Sequence, residues 1–269
     1  MLTLILAFSA GFGGFAAAYF AADWALVWSI VAGLLGFGVC QGMAGVIIQK
    51  RVKGDMDRVQ AILANGQRKL QEKMQRWQLR PPGSIQAAQK EMLEDTKVFV
   101  REALKETESL ARYRLWVPMI ARQMATAQFQ LNWMIKDFKA VDQLMPKALF
   151  FDPTMVAMKM ARMYMLNASS EDIGKVYRKA SRRLRYNQNV LLAAAWSWIL
   201  VQRQDVDGAF KALTEALKKS DNSTLVRNHE QLMNNRVAHF ANSGLGDQWY
   251  SLHLEEPRVR MQRQHIVRR

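Results

Sequence analysis

The stretch that decides the fold is residues 2–49, which read LTLILAFSAGFGGFAAAYFAADWALVWSIVAGLLGFGVCQGMAGVIIQ and contain one charged residue, Asp23. All 38 lysines and arginines of the 269-residue chain lie from Lys50 onward. Asp23 separates runs of 21 and 26 uncharged residues, and each run can cross a hydrocarbon core of about 30 Å as a helix. Because a helix satisfies its own backbone hydrogen bonds, the sequence predicts a two-helix transmembrane hairpin over residues 1–49.

The charges that flank the second run predict an orientation. Lys50, Arg51 and Lys53 follow it directly, whereas the turn at Asp23 has no positive charge and is flanked by aromatic residues. Positive charge favours the cytoplasmic side, and aromatic side chains favour the membrane interface. We therefore expect a multi-pass protein of a bacterial-type inner (cytoplasmic) membrane, with the C-terminal domain in the cytoplasm. The alternative is a cleaved signal peptide at residues 1–22, although this segment lacks a positively charged start.

Small residues recur at four-residue spacing in both runs, and such faces let helix backbones approach closely. We expect them to pack the two helices against each other, with an oligomerisation surface as the alternative. The expected packing residues are Ala10, Gly14, Ala18, Gly36, Gly38 and Gly42.

Residues 50–112 are predicted to form basic juxtamembrane amphipathic helices. Apolar residues recur at helical spacing over residues 50–80, with basic residues around them. Pro81-Pro82-Gly83 ends this helix, and Ser84 is placed to cap the next, which runs to about Arg112. Such a helix suits anionic lipid head groups, and packing on the domain behind it is the alternative. The expected head-group contacts are Lys50, Arg51, Lys53, Arg68, Lys69, Lys73 and Arg76.

The sequence from residue 113 to residue 256 predicts helices throughout. It shows no alternating strand pattern, and residues that favour turns separate its apolar segments. The fold class is therefore all-α, with a basic tail over residues 257–269. The expected turns are Lys136-Asp137, Asp152-Pro153, Ala168-Ser169-Ser170, Asn187-Gln188-Asn189, Gln204-Asp205, Ser220-Asp221-Asn222 and Gly244-Leu245-Gly246.

Parts of this domain resemble the tetratricopeptide repeat (TPR) family. Residues 122–153 have Lys136-Asp137-Phe138 where the family turns and Asp152-Pro153 where its unit ends, and Gln204-Asp205-Val206 repeats the turn later. The family period is about 34 residues. The resemblance implies a TPR-like α-helical repeat, or solenoid, domain over residues 113–256. The layout also resembles that of HemY-type membrane proteins, from which no haem-related role is transferred.

The resemblance to tetratricopeptide repeats also implies a protein-binding groove on the first-helix side. Gln130, Tyr164 and Trp198 follow one another at intervals of 34 residues and match a groove-facing position of the family. Burial of Tyr164 and Trp198 between helices is the alternative. The full expected groove set is Gln123, Thr126, Gln130, Tyr164, Asn167, Trp198 and Gln202.

The sequence shows no recognisable catalytic or cofactor motif. Its four histidines are dispersed, and neither a phosphate-binding loop nor a nucleophile elbow occurs. Cys40 is the only cysteine, which excludes an internal disulfide and a cysteine-based metal site. We therefore expect no enzyme activity, no cofactor and no metal.

Charge and anchoring together predict the class of function. The net charge is +15, with a basic run over residues 175–185. Beside a bilayer, anionic lipid or an acidic protein is a nearer partner than nucleic acid. The sequence thus predicts a membrane-anchored scaffold or adaptor that recruits a partner protein, with or without oligomerisation. The alternative is a structural subunit of a larger secretion, envelope or transport complex that uses the hairpin as an interface.

Overall fold

The computed structural model describes residues 2–22, 24–79 and 84–257, and every regular element within these ranges is helical. The chain divides into two compact units, Met1–Leu149 and Phe150–Arg269, called here the N-terminal and C-terminal units. The predictions that concern Asp23, Pro81-Pro82-Gly83 and the basic tail after Pro257 lie outside the described residues.

The N-terminal unit begins with two long apolar helices. α1 covers Leu2–Ala16 and continues as a π-helical turn over Ala17–Ala21. α2 covers Leu26–Leu79, and its 54 residues extend about 80 Å. Both helices are long and apolar enough to cross a membrane. The two predicted N-terminal apolar helices are therefore confirmed, and the second of them continues without a break into the basic helix expected after residue 49.

The remaining helices of this unit pack on the second half of α2. α3 covers Ile85–Glu108, and the Ser84 hydroxyl accepts the Ala87 N–H at 3.1 Å, as expected for its N-cap. A 3₁₀ turn over Ser109–Tyr113 leads to α4 (Ile120–Met134) and α5 (Phe138–Leu144). α2, α3 and α4 share a buried core of Val59, Phe99, Val100, Ala103 and Leu131.

The C-terminal unit is organised around one buried helix. Its helices are α6 (Pro153–Met165), α7 (Ser170–Ser181), α8 (Val190–Gln202), α9 (Val206–Leu217), α10 (Ser223–Met233) and α11 (Asp247–Tyr250). α8 packs against α6, α7, α9 and α10, and all ten residues from Leu191 to Leu200 are buried. A helix that other helices surround needs apolar residues on every side, and the sequence LLAAAWSWIL provides them.

Five of the seven expected turns contain the side chain that caps the helix that follows, whereas Asn189 and Gly246 precede helices without a side-chain cap. Asp137, Asp152, Ser169, Asp205 and Asn222 each accept a backbone N–H in the first turn of a helix. These short-range bonds explain why the boundaries were predictable. The tetratricopeptide-like repeat itself stays a prediction.

Candidate membrane anchor and partner-binding site

Small residues bring α1 and α2 into close contact. A Cβ atom added to Gly11 would lie 3.0 Å from the Gly33 carbonyl oxygen, and one added to Gly33 would lie 3.0 Å from that of Gly11. At the predicted residue Gly14 an added Cβ atom would lie 3.2 Å from the Ala32 carbonyl oxygen, and at Gly36 it would lie 3.1 Å from that of Ala10. This contact makes the hairpin a single packed structure.

The other predicted packing residues have different surroundings. The backbone carbonyl of Ala10 lies against Gly36, and Ala18 is buried. At Gly38 and Gly42, an added Cβ would meet no atom of the described chain within 4 Å. The face of α2 that holds Gly38 and Gly42 is therefore open for a further helix.

The outer surface of the hairpin is apolar. Phe20 is 77% exposed and Val27 is 69% exposed, and the exposed apolar band continues along α2 to Val46 and Ile47. An exposed band of this size calls for an apolar environment. The basic residues Lys50, Arg51 and Lys53 follow it directly, and all of them are exposed.

The more distal basic residues of α2 lie far from this band. Arg68 comes about 27 Å beyond Lys50 along the helix axis. Lys73 pairs with Asp95 and Glu91 of α3, and the hydrogen bonds that it donates to these two carboxylates raise its pKa. Lys73 therefore forms its ion pairs within the N-terminal unit. The predicted head-group contacts stay predictions, and those at Arg68, Lys69 and Arg76 require α2 to lie along the bilayer surface.

A buried carboxylate joins α2 to the segment that follows α3. Asp55 is 3% exposed and accepts hydrogen bonds from Arg58 and Arg112. Burial alone would raise the pKa of Asp55, but hydrogen bonds from Arg112 and Tyr113 and the nearby positive charges hold it below its usual range. Arg58 also bonds Glu106 of α3 at 2.7 Å. This network fixes the first turns of α2 beyond Gln49 to the helical part of the unit. The sequence analysis missed it, because nothing local marks Asp55 as buried.

Three of the predicted groove residues lie on α4, in the N-terminal unit. Gln123 and Gln130 are exposed. The Thr126 hydroxyl donates to the Arg122 carbonyl and accepts the Leu149 N–H, both at 2.8 Å. The Thr126 hydroxyl is therefore hydrogen-bonded within this unit, whereas the exposed side chains of Gln123 and Gln130 can contact a partner.

The other predicted groove residues belong to the C-terminal unit. Tyr164 and Trp198 form an edge-to-face pair with ring centroids 5.3 Å apart, and Trp198 is only 7% exposed. Asn167 and Gln202 are exposed near the ends of α6 and α8. The burial of Trp198 agrees with the alternative in which the aromatic positions belong to the helix core.

Trp198 also takes part in a polar contact that the sequence did not suggest. Glu255 accepts the indole N–H of Trp198 and, through its other oxygen, that of Trp249, each at 2.7 Å. A buried indole needs such a partner. The contact links α8 to the end of the described chain and gives Trp198 a structural role.

A basic and apolar cleft of about 400 Å³ lies in the C-terminal unit. It combines six apolar residues with four basic ones, and none of the described residues that line it is acidic. We call it the basic cleft. Its lining is Phe150, Phe151, Pro153, Val176, Ala180 and Leu184 with Lys159, Lys175, Lys179 and Arg183.

Three cations of the basic cleft pair with no carboxylate in the described ranges. Lys175 pairs with Glu171 and Asp172 at 3.1 Å, but Lys159, Lys179 and Arg183 form no ion pair with any carboxylate of the described residues. The Lys159 ammonium lies 4.8 Å from the centre of the Phe150 ring. Burial, and then the charge of Lys179, lower the pKa of Lys159. The cleft is therefore electrostatically prepared for an anionic ligand.

The sequence analysis identified this basic run but not the cleft. Lys175, Lys179 and Arg183 recur at four-residue spacing, which places them on one side of α7 and the turn after it. Lys159 comes from α6, and only the packing of α6 on α7 brings it into the same cleft.

Among the described residues, no group of three histidine, cysteine, aspartate or glutamate side chains could hold a metal ion. Comparisons with known proteins find no matching family model, no similar curated protein and no similar solved structure. The function is therefore inferred from the geometry of this chain.

Proposed function

We propose that this protein is a membrane-anchored scaffold or adaptor that recruits a partner protein to the cytoplasmic face of a bacterial-type inner membrane. The observation that carries the proposal is the continuity of α2. Its first half has the exposed apolar surface of a membrane span, and its second half belongs to the core shared with α3 and α4. One helix thus connects an anchor to a helical domain.

The connection between the two halves of α2 is stiff. A continuous helix transmits position and orientation, whereas a flexible linker would allow the domain to drift. The bonds from Arg58 and Arg112 to Asp55 reinforce α2 just after the apolar half ends. Such an anchor suits a protein whose N-terminal unit holds its helices at a set distance from the bilayer.

The basic cleft is the surface that we propose for the partner, because all four of its charged residues are basic. Lys175 and Lys179 lie about 6 Å apart along α7, and separated charges of this kind match a chain of carboxylates better than one compact anion. The exposed Phe151 ring and the aliphatic lining favour apolar side chains between those carboxylates. We therefore expect the bound segment to be acidic and partly apolar.

Reversal of charge in the basic cleft is expected to abolish recruitment. The variant Lys179→Glu/Arg183→Glu removes two cations that form no ion pair within the described part of the chain, so an acidic segment should bind at least tenfold less tightly, since about 1.4 kcal/mol corresponds to a factor of ten. Binding is measured with the full-length protein in lipid nanodiscs and a fluorescent peptide of alternating glutamate and leucine. Affinity capture from native membranes then compares the proteins recovered.

The matched control is Arg182→Glu/Arg185→Glu, which makes the same change in net charge in the same segment outside the cleft. We expect it to retain peptide binding and the recovered partners. Equal loss in both variants would mean that net charge, not the cleft, determines binding. A parallel Gln123→Ala/Gln130→Ala variant tests the predicted groove without removing the buried Trp198.

The structural-subunit alternative is favoured by one observation, the open face of α2 at Gly38 and Gly42. If this face binds a helix of another subunit, Gly38→Leu should release the protein from a larger complex, as measured by native size in mild detergent. Gly13→Leu is the control, because an added Cβ there also meets no described atom within 4 Å. An unchanged native size for Gly38→Leu would speak against this alternative.

A further inference from the structure

The segment between the 3₁₀ turn and α4 lies beside the cytoplasmic end of the apolar hairpin. We call residues 114–119 the α4 loop. The Leu2 N–H donates to the Leu115 carbonyl oxygen at 2.9 Å. Trp116 lines a cavity with Ala44, Ile47 and other residues of α2. The α4 loop is therefore level with the first residue of α1 and with the last apolar turns of α2.

The hairpin register explains why there is room for the α4 loop. Gly11 faces Gly33 and Gly36 faces Ala10, so Leu2 comes level with residues 42–44 of α2. α2 remains uncharged beyond that level as far as Gln49. α1 therefore leaves the last uncharged turns of α2 uncovered. Tyr113 and Trp116 pack there in a cluster with Ile48 and Leu110.

The apolar surface of the hairpin continues onto the α4 loop. Ile47 of α2, which lines the cavity with Trp116, is 49% exposed, and Leu115 and Met119 of the loop are 64% and 43% exposed. Two exposed basic residues are nearby: Arg51 lines the same cavity as Trp116, and Arg114 directly precedes Leu115 in the sequence. A tryptophan at the edge of an apolar band, with arginines beside it, is the pattern of a membrane interface.

We propose that the α4 loop is a third membrane contact, in which Leu115 and Met119 enter the lipid interface and Trp116 lies at the level of the head groups. This inference rests on the membrane anchoring proposed above. The loop would act beside the hairpin as a second point of attachment. It would prevent the other helices of the N-terminal unit from rotating about α2. The occupant is the bilayer, because the loop continues a band that already faces lipid and because its flanking charge is positive.

The experiment measures the depth of single fluorescent labels in the full-length protein. Cys40→Ala removes the only cysteine, and labels are then attached to Leu115→Cys, Met119→Cys, Leu35→Cys or Gln67→Cys. The protein is reconstituted in vesicles of phosphatidylcholine and phosphatidylglycerol that carry lipid spin labels at shallow or deep positions. Leu35 reports on the apolar half of α2, and the exposed Gln67 lies about 25 Å beyond Lys50.

We expect shallow spin labels to quench Leu115 and Met119 several-fold more strongly than Gln67, and deep ones to quench Leu35. Quenching of Leu35 without quenching of Leu115 and Met119 overturns the third contact and leaves the anchor intact. If Leu35 is not quenched, the anchor fails and the inference fails with it. Protection of Leu115 from both lipid spin labels and aqueous iodide would indicate a protein contact and would also overturn the proposal.

Discussion

Replacement of Asp55 by alanine is expected to destabilise the N-terminal unit by about 2 kcal/mol, within the range for hydrogen bonds to a charged group, because the two arginines that it leaves unpaired are more than half exposed and stay solvated. Asp55 is almost fully buried, and Arg58 and Arg112 both bond to it. Without the carboxylate, the bond that joins α2 to Arg112 after α3 is lost, and the bond from Arg58 to Glu106 remains. Hydrogen exchange of the α3 amides in detergent measures the effect locally, so that unfolding of the C-terminal unit does not obscure it.

The control for this variant is Asp57→Ala, two residues further along α2. Asp57 is exposed and forms no ion pair with a described residue, so its removal should change the free energy of unfolding by less than about 0.5 kcal/mol. Equal effects of the two variants would show that the Asp55 network does not stabilise the unit.

The contribution of Asp55 should also depend on pH. The pKa of its carboxyl is lowered in the folded state because hydrogen bonds and positive charge outweigh burial. Its stabilisation is therefore fully present above the usual aspartate pKa of about 4 and is lost as the pH falls through the lower folded-state pKa. The difference in stability between the wild type and Asp55→Ala should shrink in acid, as denaturant titration in detergent at several pH values would show.

The second large effect is expected at Gly66, where α2 and α3 meet. A Cβ atom there would lie 2.3 Å from Cγ of Phe99, whose ring is buried in the core. We expect Gly66→Ala to destabilise the unit by about 2 kcal/mol, because overpacking costs up to about 3 kcal/mol and the better helix propensity of alanine returns about 1. Denaturant unfolding in detergent measures the change.

Gly54→Ala is the matched control on the same helix. An added Cβ at Gly54 meets no atom within 4 Å in the described parts of the chain, so this variant should stabilise the protein by up to about 1 kcal/mol. In a Phe99→Ala background the penalty of Gly66→Ala should disappear, because the clashing ring is gone. Persistence of the penalty there would refute the steric explanation.

Features that depend on neighbouring residues were predictable. The two apolar helices follow from runs of uncharged residues, and the cap at Ser84 and the turns at Asp137 and Asp205 follow from side chains that bond the first turn of the next helix. The all-α class follows from the same local patterns. The alternative of burial for Trp198 was also accessible, because a large aromatic among apolar neighbours favours the core.

Features that depend on distant residues were not predictable. Asp55 and Arg112 are separated by 57 residues, so the burial of this carboxylate emerges only when α2 and the end of α3 pack together. The α4 loop reaches Leu2 across more than a hundred residues. The periodicity of one segment does not predict a contact between residues that are so far apart in the sequence.

Hydropathy, capping and charge act through adjacent residues, so the helical class, the two apolar helices and the charge boundary at Lys50 can be read from the sequence. Three arrangements are visible only once the helices pack: the small residues that bring the hairpin helices together, the meeting of Lys159 with Lys179 and Arg183 in the basic cleft, and the position of Trp116 beside the end of the apolar hairpin. They depend on shape and register between helices that are far apart in the chain, which no local pattern encodes.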